Sequence, residues 1–598
     1  MICIQYFLSG FHRIMSIRFS IRITAVVCIF TMVLAANIRA DSVHLAFQHS
    51  VNGNPLILDS LRYQTAADET YSISRFSYLL SNFMIQRDAG DWIDLPDSFA
   101  WVDVAARRNR IALDSVPEGD FQAIRFDVGL TATVNHSDPN RYAARHPLNS
   151  SLNQLHWNWQ TGYIFLALEG MYRTAAGELS GYVYHFANDP QRTTITLTLP
   201  QSIVAGSALD IGVDIGALLN SSNPVSFAKD GASTHSREGD AIARALQSNL
   251  PEAFKIQRLR RKSPTVVAPS PQPIDLPATY SPHRFTISQR FPIPTLPLDN
   301  PLLKQRISLG NRIFHDKRLS IDNTIACASC HQPDAAFSDP LPNSIGVDGQ
   351  LSRRHSMPLF NLAWKDQFFW DGRAPSLREQ VLSPIEDPTE MGESLDQVIT
   401  KLKADPDYPS QFANAFGSAE ISSQNIGLAL ESYLLSLTSD ESKFDHAVAG
   451  KAKLSPSEQR GFELFMTEFE PRSRQYGADC FHCHGGALFT DNRFHDNGLE
   501  ATDDQGLAEV TQAATDRNKF ATPSLRNVAL TAPYMHDGRF QTLEAVIDHY
   551  SSGINRRATL DPNLAKHPQT GIQLSSQDKS DLIAFLNTLS DPQFLPSE

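Results

Sequence analysis

The chain has 598 residues, of which 41% are hydrophobic and 20% charged, and a formal net charge of -13. That length exceeds what one hydrophobic core supports, so roughly three to five domains are expected. The composition is that of a globular protein in water. The charge is spread without a long acidic or basic run, which argues against nucleic acid as a partner.

Residues 1–40 read as an export signal that directs the chain to the periplasm. Arg18 and Arg22 precede the apolar run Ile23 to Ala36, which is too short to span a bilayer, and cleavage after Ala40 or Ala36 is expected. Met15 is an alternative start. No later segment is long and apolar enough to be a membrane span.

Residues 41–255 read as a mainly-β, sandwich-like domain. Short alternating runs such as Tyr71 to Tyr78 and Thr193 to Leu199 are separated by turn clusters such as Asn52-Gly53-Asn54-Pro55. A helix from about Arg237 to Leu250 closes it. Residues 256–300 hold nine prolines between Pro264 and Pro297, which predicts an extended linker without regular hydrogen bonding.

The rest reads as helical, with helices near Leu302–Phe314, Leu377–Leu382, Leu395–Leu402, Ile426–Leu437, Ser455–Phe465, Leu543–Tyr550 and Ser576–Leu589. It contains a diverged repeat. Asn361, Trp370-Asp371-Gly372-Arg373 and Leu377 recur at the same spacing as Asn527, His536-Asp537-Gly538-Arg539 and Leu543. Two mainly-α domains are therefore expected, 301–450 and 451–598.

Each repeat follows one Cys-x-x-Cys-His, namely Cys327-Ala-Ser-Cys330-His331 and Cys480-Phe-His-Cys483-His484. The chemical logic of this motif is covalent haem attachment: two thiols add to the haem vinyl groups and the adjacent histidine ligates iron. One such motif could be a zinc or redox cysteine pair. Two, in two repeated domains behind an export signal, make the chain a di-haem c-type cytochrome with proximal ligands His331 and His484. Of the six cysteines, the other two, Cys3 and Cys28, fall in the signal.

From about residue 291 onward the chain resembles the di-haem cytochrome c peroxidase/MauG family. The stretches that carry this are Leu309-Gly-Asn-Arg-Ile-Phe314, Leu319-Ser320, Phe369-Trp370-Asp371-Gly372-Arg373, Glu390-Met391, Gly461-Phe-Glu-Leu-Phe465, Thr522-Pro-Ser-Leu-Arg-Asn527 and Thr531-Ala-Pro-Tyr534. The resemblance implies that Trp370 conducts electrons between the haems and that Gln380, Pro384 and Glu390 line the peroxide pocket. Peroxidase members carry a loop histidine that caps the first iron. The loop Gln332 to Arg354 has none, so an open first haem is implied, as in MauG. Tyr550 matches the tyrosine that ligates the second iron in MauG-like members, and a tyrosinate ligand stabilises oxidised iron. The family also binds calcium between the haem domains. Thr531 and Pro533 match its carbonyl ligands, and His355 stands where the family has an asparagine.

Residues 42–255 resemble the copper-binding MbnP-like domain through Phe76-Ser-Tyr-Leu-Leu-Ser-Asn82, Ile124-Arg-Phe-Asp-Val-Gly129 and His156-Trp157-Asn-Trp159. Such domains are associated with MauG-like (MbnH-like) enzymes that oxidise a partner tryptophan to kynurenine. The resemblance implies His49, His185 and His235 as copper ligands and Trp157 or Trp159 as the oxidised side chain. The same Trp-x-Trp spacing also suits core aromatics on one face of a strand.

Together these readings give an H2O2-dependent di-haem oxidase acting on its own N-terminal domain. Two alternatives stand beside it. One is a periplasmic di-haem cytochrome c peroxidase fed by a small redox protein, a cytochrome c or a cupredoxin. The other is a copper-binding or electron-transfer protein without turnover.

Overall fold

The structure is a computed structural model that describes residues 42–157, 162–260, 276–285, 288, 290–470, 474–568 and 571–595. The expected export signal and Trp159 lie outside the described residues. Among those described, no helix is long and apolar enough to cross a membrane.

The N-terminal domain is built from two sheets. A five-stranded sheet runs in the order Phe254–Arg260, Ala208–Asp214, Val43–Val51, Asn54–Pro55, with Arg110–Leu113 also paired to Val43–Val51. The eleven-stranded sheet has Thr193–Ile203, Phe121–Val128, Arg75–Arg87, Gly162–Arg173, Leu179–Ala187 and Ser233–Thr234 along its main path. Alternation explains the packing. In Thr193–Ile203 the residues Ile195, Leu197 and Leu199 are buried while the threonines between them are exposed. Phe47, Tyr78, Phe126 and Phe254 meet edge to face between the sheets. The expected helix is Ala241–Ala253, capped by Asp240.

Two expected boundaries move. The strand Phe254–Arg260 pairs antiparallel with Ala208–Asp214, so the β domain continues past 255. The described later part of the Pro-rich segment does not run free: Phe291 is buried against Trp364, whose indole N–H donates to Pro292 O at 2.7 Å.

The seven expected helices form, as Lys304–Phe314, Leu377–Glu386, Leu395–Lys403, Ser423–Leu435, Pro456–Phe465, Leu543–Ser552 and Ser576–Asn587. Tyr408–Phe416 and Lys443–Val448 are additional. The repeat is structural. Asn361 and Asn527 both take left-handed conformations, at φ 55° and 56°, ahead of a single 3-10 turn. Ser376 and Thr542 then cap equivalent helices. Gly310 and Gly461 let a second helix cross closely, since an added Cβ would lie about 2 Å from Ala429 O or Asp581 O.

The haem domains interlock. Phe444 packs with Phe462, Phe489 and Phe585 of the second core, so the join falls before Lys443 rather than at 450. Phe594 returns to Phe337 and Phe360 of the first. The β domain is seated on the second haem domain. Gly181 abuts Pro562, where any Cβ would strike the Pro562 carbonyl. Met171 shares a cluster with Ile554, Leu560 and Ala565, and Lys519 Nζ reaches Asp59 at 2.7 Å.

Arg526 is fully buried, donates to both oxygens of Asp445 at 2.8 and 2.9 Å, and lies over the Phe291 ring. Arg526→Ala leaves the Asp445 charge buried without its partner. Denaturant titration should show a loss of about 3–5 kcal/mol. Replacing the pair by Arg526→Met and Asp445→Leu should cost clearly less.

Candidate functional site

His331 follows the short helix Cys327–Cys330, with its Nδ1 3.1 Å from Phe337 O. A carbonyl accepts only, so Nδ1 carries the hydrogen and Nε2 is left with its lone pair. His484 repeats the arrangement, with Nδ1 3.3 Å from Phe489 O. Burial lowers the basicity of both rings, His484 to about 4, so each is a neutral imidazole ready to bind a metal. This donor set fits a c-type haem at each motif.

His331, Cys327 and Cys330 open onto a cavity of about 380 Å³, walled by apolar side chains including Phe314, Leu359, Val381, Leu430 and Leu434. Trp370, Gln380, Pro384 and Glu390 all line the same cavity. The helix Leu377–Glu386 presents Gln380 and Pro384 there, one turn apart. The Oε1 of Gln380 is buried with no hydrogen-bond partner among the described residues, as suits a group awaiting a polar ligand. Burial, and then the charge of Asp387, raise Glu390 to about 7, while Arg373 opposes the shift. A carboxyl tuned to that range can both take and return a proton.

Trp370 is clamped where the two haem domains meet. Its indole N–H donates to His355 O at 2.8 Å, and its own carbonyl accepts from Ala521 N at 2.8 Å. Arg354 ties Asp371 of the same motif to Asp504 of the second haem domain, at 2.6 and 2.7 Å.

Tyr550 is half-buried beside Cys480 and Cys483, and Asn497 Nδ2 donates to its hydroxyl at 3.4 Å. Burial pushes the phenol upward; the Asn497 hydrogen bond opposes this and the neighbouring thiols add to it. A tyrosinate there requires a cation, which iron would supply. The same Asn497 Nδ2 also reaches Met535 Sδ at 3.5 Å, so a thioether lies near the phenol. Sequence reasoning passed over Met535, which sits between the quoted Thr531–Tyr534 stretch and His536.

The three expected copper ligands do not converge. His185 and His235 have ring centroids 5.1 Å apart. His49 instead has Nε2 3.1 Å from Tyr78 Oη, with its ring against Phe76 and Tyr78. Phe76 and Tyr78 point to the face of the large sheet opposite Ser77, Ala167 and His185, which are in register. The sheet therefore separates His49 from His185.

Trp157 is buried near this pair, with ring centroids 5.6 Å from His235 and 6.3 Å from His185. His482, inside the second Cys-x-x-Cys-His, lies 5.7 Å from the His185 ring and 6.1 Å from the His235 ring. Glu468 Oε2 joins them, 3.2 Å from His235 Nε2 and 2.9 Å from His482 Nε2. Lys566 pairs with Glu468 and, at 3.0 Å, with Asp479. Against the pull of burial, Glu468 raises His482 to about 9. This knot of paired charges was not foreseen, because His482 occupies a motif position with no required identity.

The model of the family described as di-haem cytochrome c peroxidase matches residues 304–453, and the MbnP model matches residues 40–236. Methylamine utilization protein MauG of Methylorubrum extorquens is 39% identical over 297 residues, covering 49% of this chain and 80% of that protein. A cytochrome-c peroxidase from a Pseudomonas species is 33% identical over 339 residues, covering 50% of this chain and 85% of that protein. Among solved structures, a MauG-like protein associated with microbial copper homeostasis shows 35% identity, with 52% of this chain and 98% of that chain covered, at a TM-score of 0.47.

Two outcomes follow from the geometry. Peroxide reactivity should rise with pH through about 7 as Glu390 ionises and becomes able to accept a proton. In Glu390→Gln the stopped-flow rate should fall by roughly 10²–10⁴-fold and lose that limb. Tyr550→Phe should change the low-spin EPR signal of the second ferric haem, either to high spin or to the signature of sulfur ligation by Met535. An unchanged signal would mean that Tyr550 is not the ligand.

Proposed function

We propose, from the premise that this chain belongs to the di-haem cytochrome c peroxidase/MauG family, that it is an H2O2-dependent oxidase whose target is Trp157 of its own β domain. The observation that carries this reading is the position of Trp157. It is buried, and the rings of His185 and His235 bridge it to His482 of the second haem-attachment motif.

Haems attached at Cys327/Cys330 and Cys480/Cys483 would supply the redox chemistry, taking oxidising equivalents from peroxide and holding them. The chain's own residues do the rest. Glu390 accepts the first proton from peroxide and returns one to the departing oxygen, and Gln380 Oε1 orients the bound molecule. The apolar cavity wall limits water. Trp370, hydrogen-bonded to one haem domain through its side chain and to the other through its backbone, offers a fixed aromatic between them. Tyr550 would help hold the second iron, its phenolate favouring the oxidised metal.

Because the β domain is seated on the second haem domain of the same chain, the reaction runs in cis at high effective concentration. The β domain is also assigned a copper site using His185 and His235, imidazole being a suitable copper ligand. His49, across the sheet, is outside it. The location is assigned as the periplasm from the N-terminal export pattern.

The test is mass spectrometry of the fully haem-loaded protein before and after peroxide. The Trp157 peptide should lose one carbon and gain one oxygen, as conversion to kynurenine requires. Trp157→Phe should abolish the change, and Trp370→Phe should slow it by about tenfold or more. Steady peroxide consumption with Trp157 intact would sink this reading in favour of a plain peroxidase supplied by a small redox protein.

A further inference from the structure

The family resemblance implies a calcium ion between the haem domains, held by carbonyls at Thr531 and Pro533 and by a side-chain oxygen at position 355. Calcium takes six to eight oxygen ligands at about 2.3–2.6 Å. The residues present do not fit it. Position 355 is a histidine, whose ring has no oxygen and fills the space.

The buried ring of His355 lies with Nδ1 3.1 Å from Leu341 O and Nε2 3.2 Å from Ser338 Oγ. The carbonyls of Pro342 and Thr531 also face it. Leu341 O can only accept, so Nδ1 carries the single hydrogen of a ring that burial keeps neutral, and Nε2 shares the Ser338 hydroxyl hydrogen with Ser356 O, 2.8 Å from that oxygen. The ring's one N–H therefore donates into an oxygen-lined pocket, the part a cation would otherwise play. The Asp339 carboxylate, which acts on the ring electrostatically, is engaged elsewhere: Oδ1 accepts from Leu341 N at 2.9 Å and Oδ2 from Ser344 Oγ at 2.6 Å.

The backbone of the same residue crosses the junction. His355 N donates to His536 O of the second haem domain at 2.9 Å, and His355 O accepts from the Trp370 indole at 2.8 Å. Alongside, Gly538 approaches Pro342 so closely that a Cβ would lie 2.5 Å from its Cα. The junction is closed by direct contact, with the imidazole as its filler.

We propose that the His355 side chain replaces the interdomain calcium ion, so that this chain joins its two haem domains and positions Trp370 without a metal at the junction. The inference concerns the junction alone and does not depend on which molecule the enzyme oxidises.

The experiment uses the fully haem-loaded protein. Metal analysis after dialysis against EGTA should find no stoichiometric calcium. EGTA should also leave the melting temperature and the EPR signals of both ferric haems unchanged. His355→Asn should lower the melting temperature by about 3–6 °C in EGTA, from lost hydrogen bonds across a packed junction. Added calcium chloride should restore it, because the substitution puts a side-chain oxygen back among the carbonyls. Two results would overturn the proposal: one tightly held calcium per chain whose removal shifts the wild-type melting temperature or EPR, or a His355→Asn protein as stable in EGTA as the wild type. The wild-type measurements decide the question even where the variant fails to fold.

Discussion

Both haem sites depend on one hydrogen bond made twice, from an imidazole Nδ1 to a main-chain carbonyl a few residues downstream: His331 to Phe337 O and His484 to Phe489 O. It fixes which nitrogen carries the hydrogen, which way the other points, and therefore where an iron would stand relative to the paired cysteines. Everything functional is arranged around the points so defined. Gln380, Pro384 and Glu390 share a cavity with His331, and Tyr550 lies beside Cys480 and Cys483. The two sites are copies in their attachment and differ in what faces them.

The β domain does not hang from its connection. It covers the second haem domain with apolar packing at Met171 and Leu560, a close approach at Gly181, and a buried charge network around Glu468. Isolated charges are costly to bury, but His482 and Lys566 are matched by Glu468 and Asp479. These four groups pair within the second haem domain, and His235 of the β domain reaches them through Glu468 Oε2 at 3.2 Å, so the seating of the two surfaces sets that contact. Trp157 is placed by that seating.

Much of this was legible in the sequence because its signals are local. A Cys-x-x-Cys-His carries its chemistry in five residues. The repeat could be read because Asn361 and Asn527 both serve the same left-handed turn. Other features depend on partners distant in the chain. The strand Phe254–Arg260 is rich in Lys, Gln and Arg and reads as a linker until Ala208–Asp214 is beside it. Nothing in Gly181 announces Pro562. The grouping of His49 with His185 and His235 failed for a related reason: a strand fixes which residues share a face, but only the pairing register shows that Ser77 and not Tyr78 lies alongside His185's face. Short helices such as Lys443–Val448 lack enough turns to show a period.

The indole of Trp370 donates its hydrogen to a peptide oxygen, that of His355. A peptide oxygen is an extremely weak base. An indole that loses an electron becomes strongly acidic, and whether it is then changed for good depends on whether something nearby removes its proton. At Trp370 the bonded neighbour cannot do so. An electron lost from a ring held this way can return with every atom in place, so the hydrogen bond to His355 O guards this indole against permanent change.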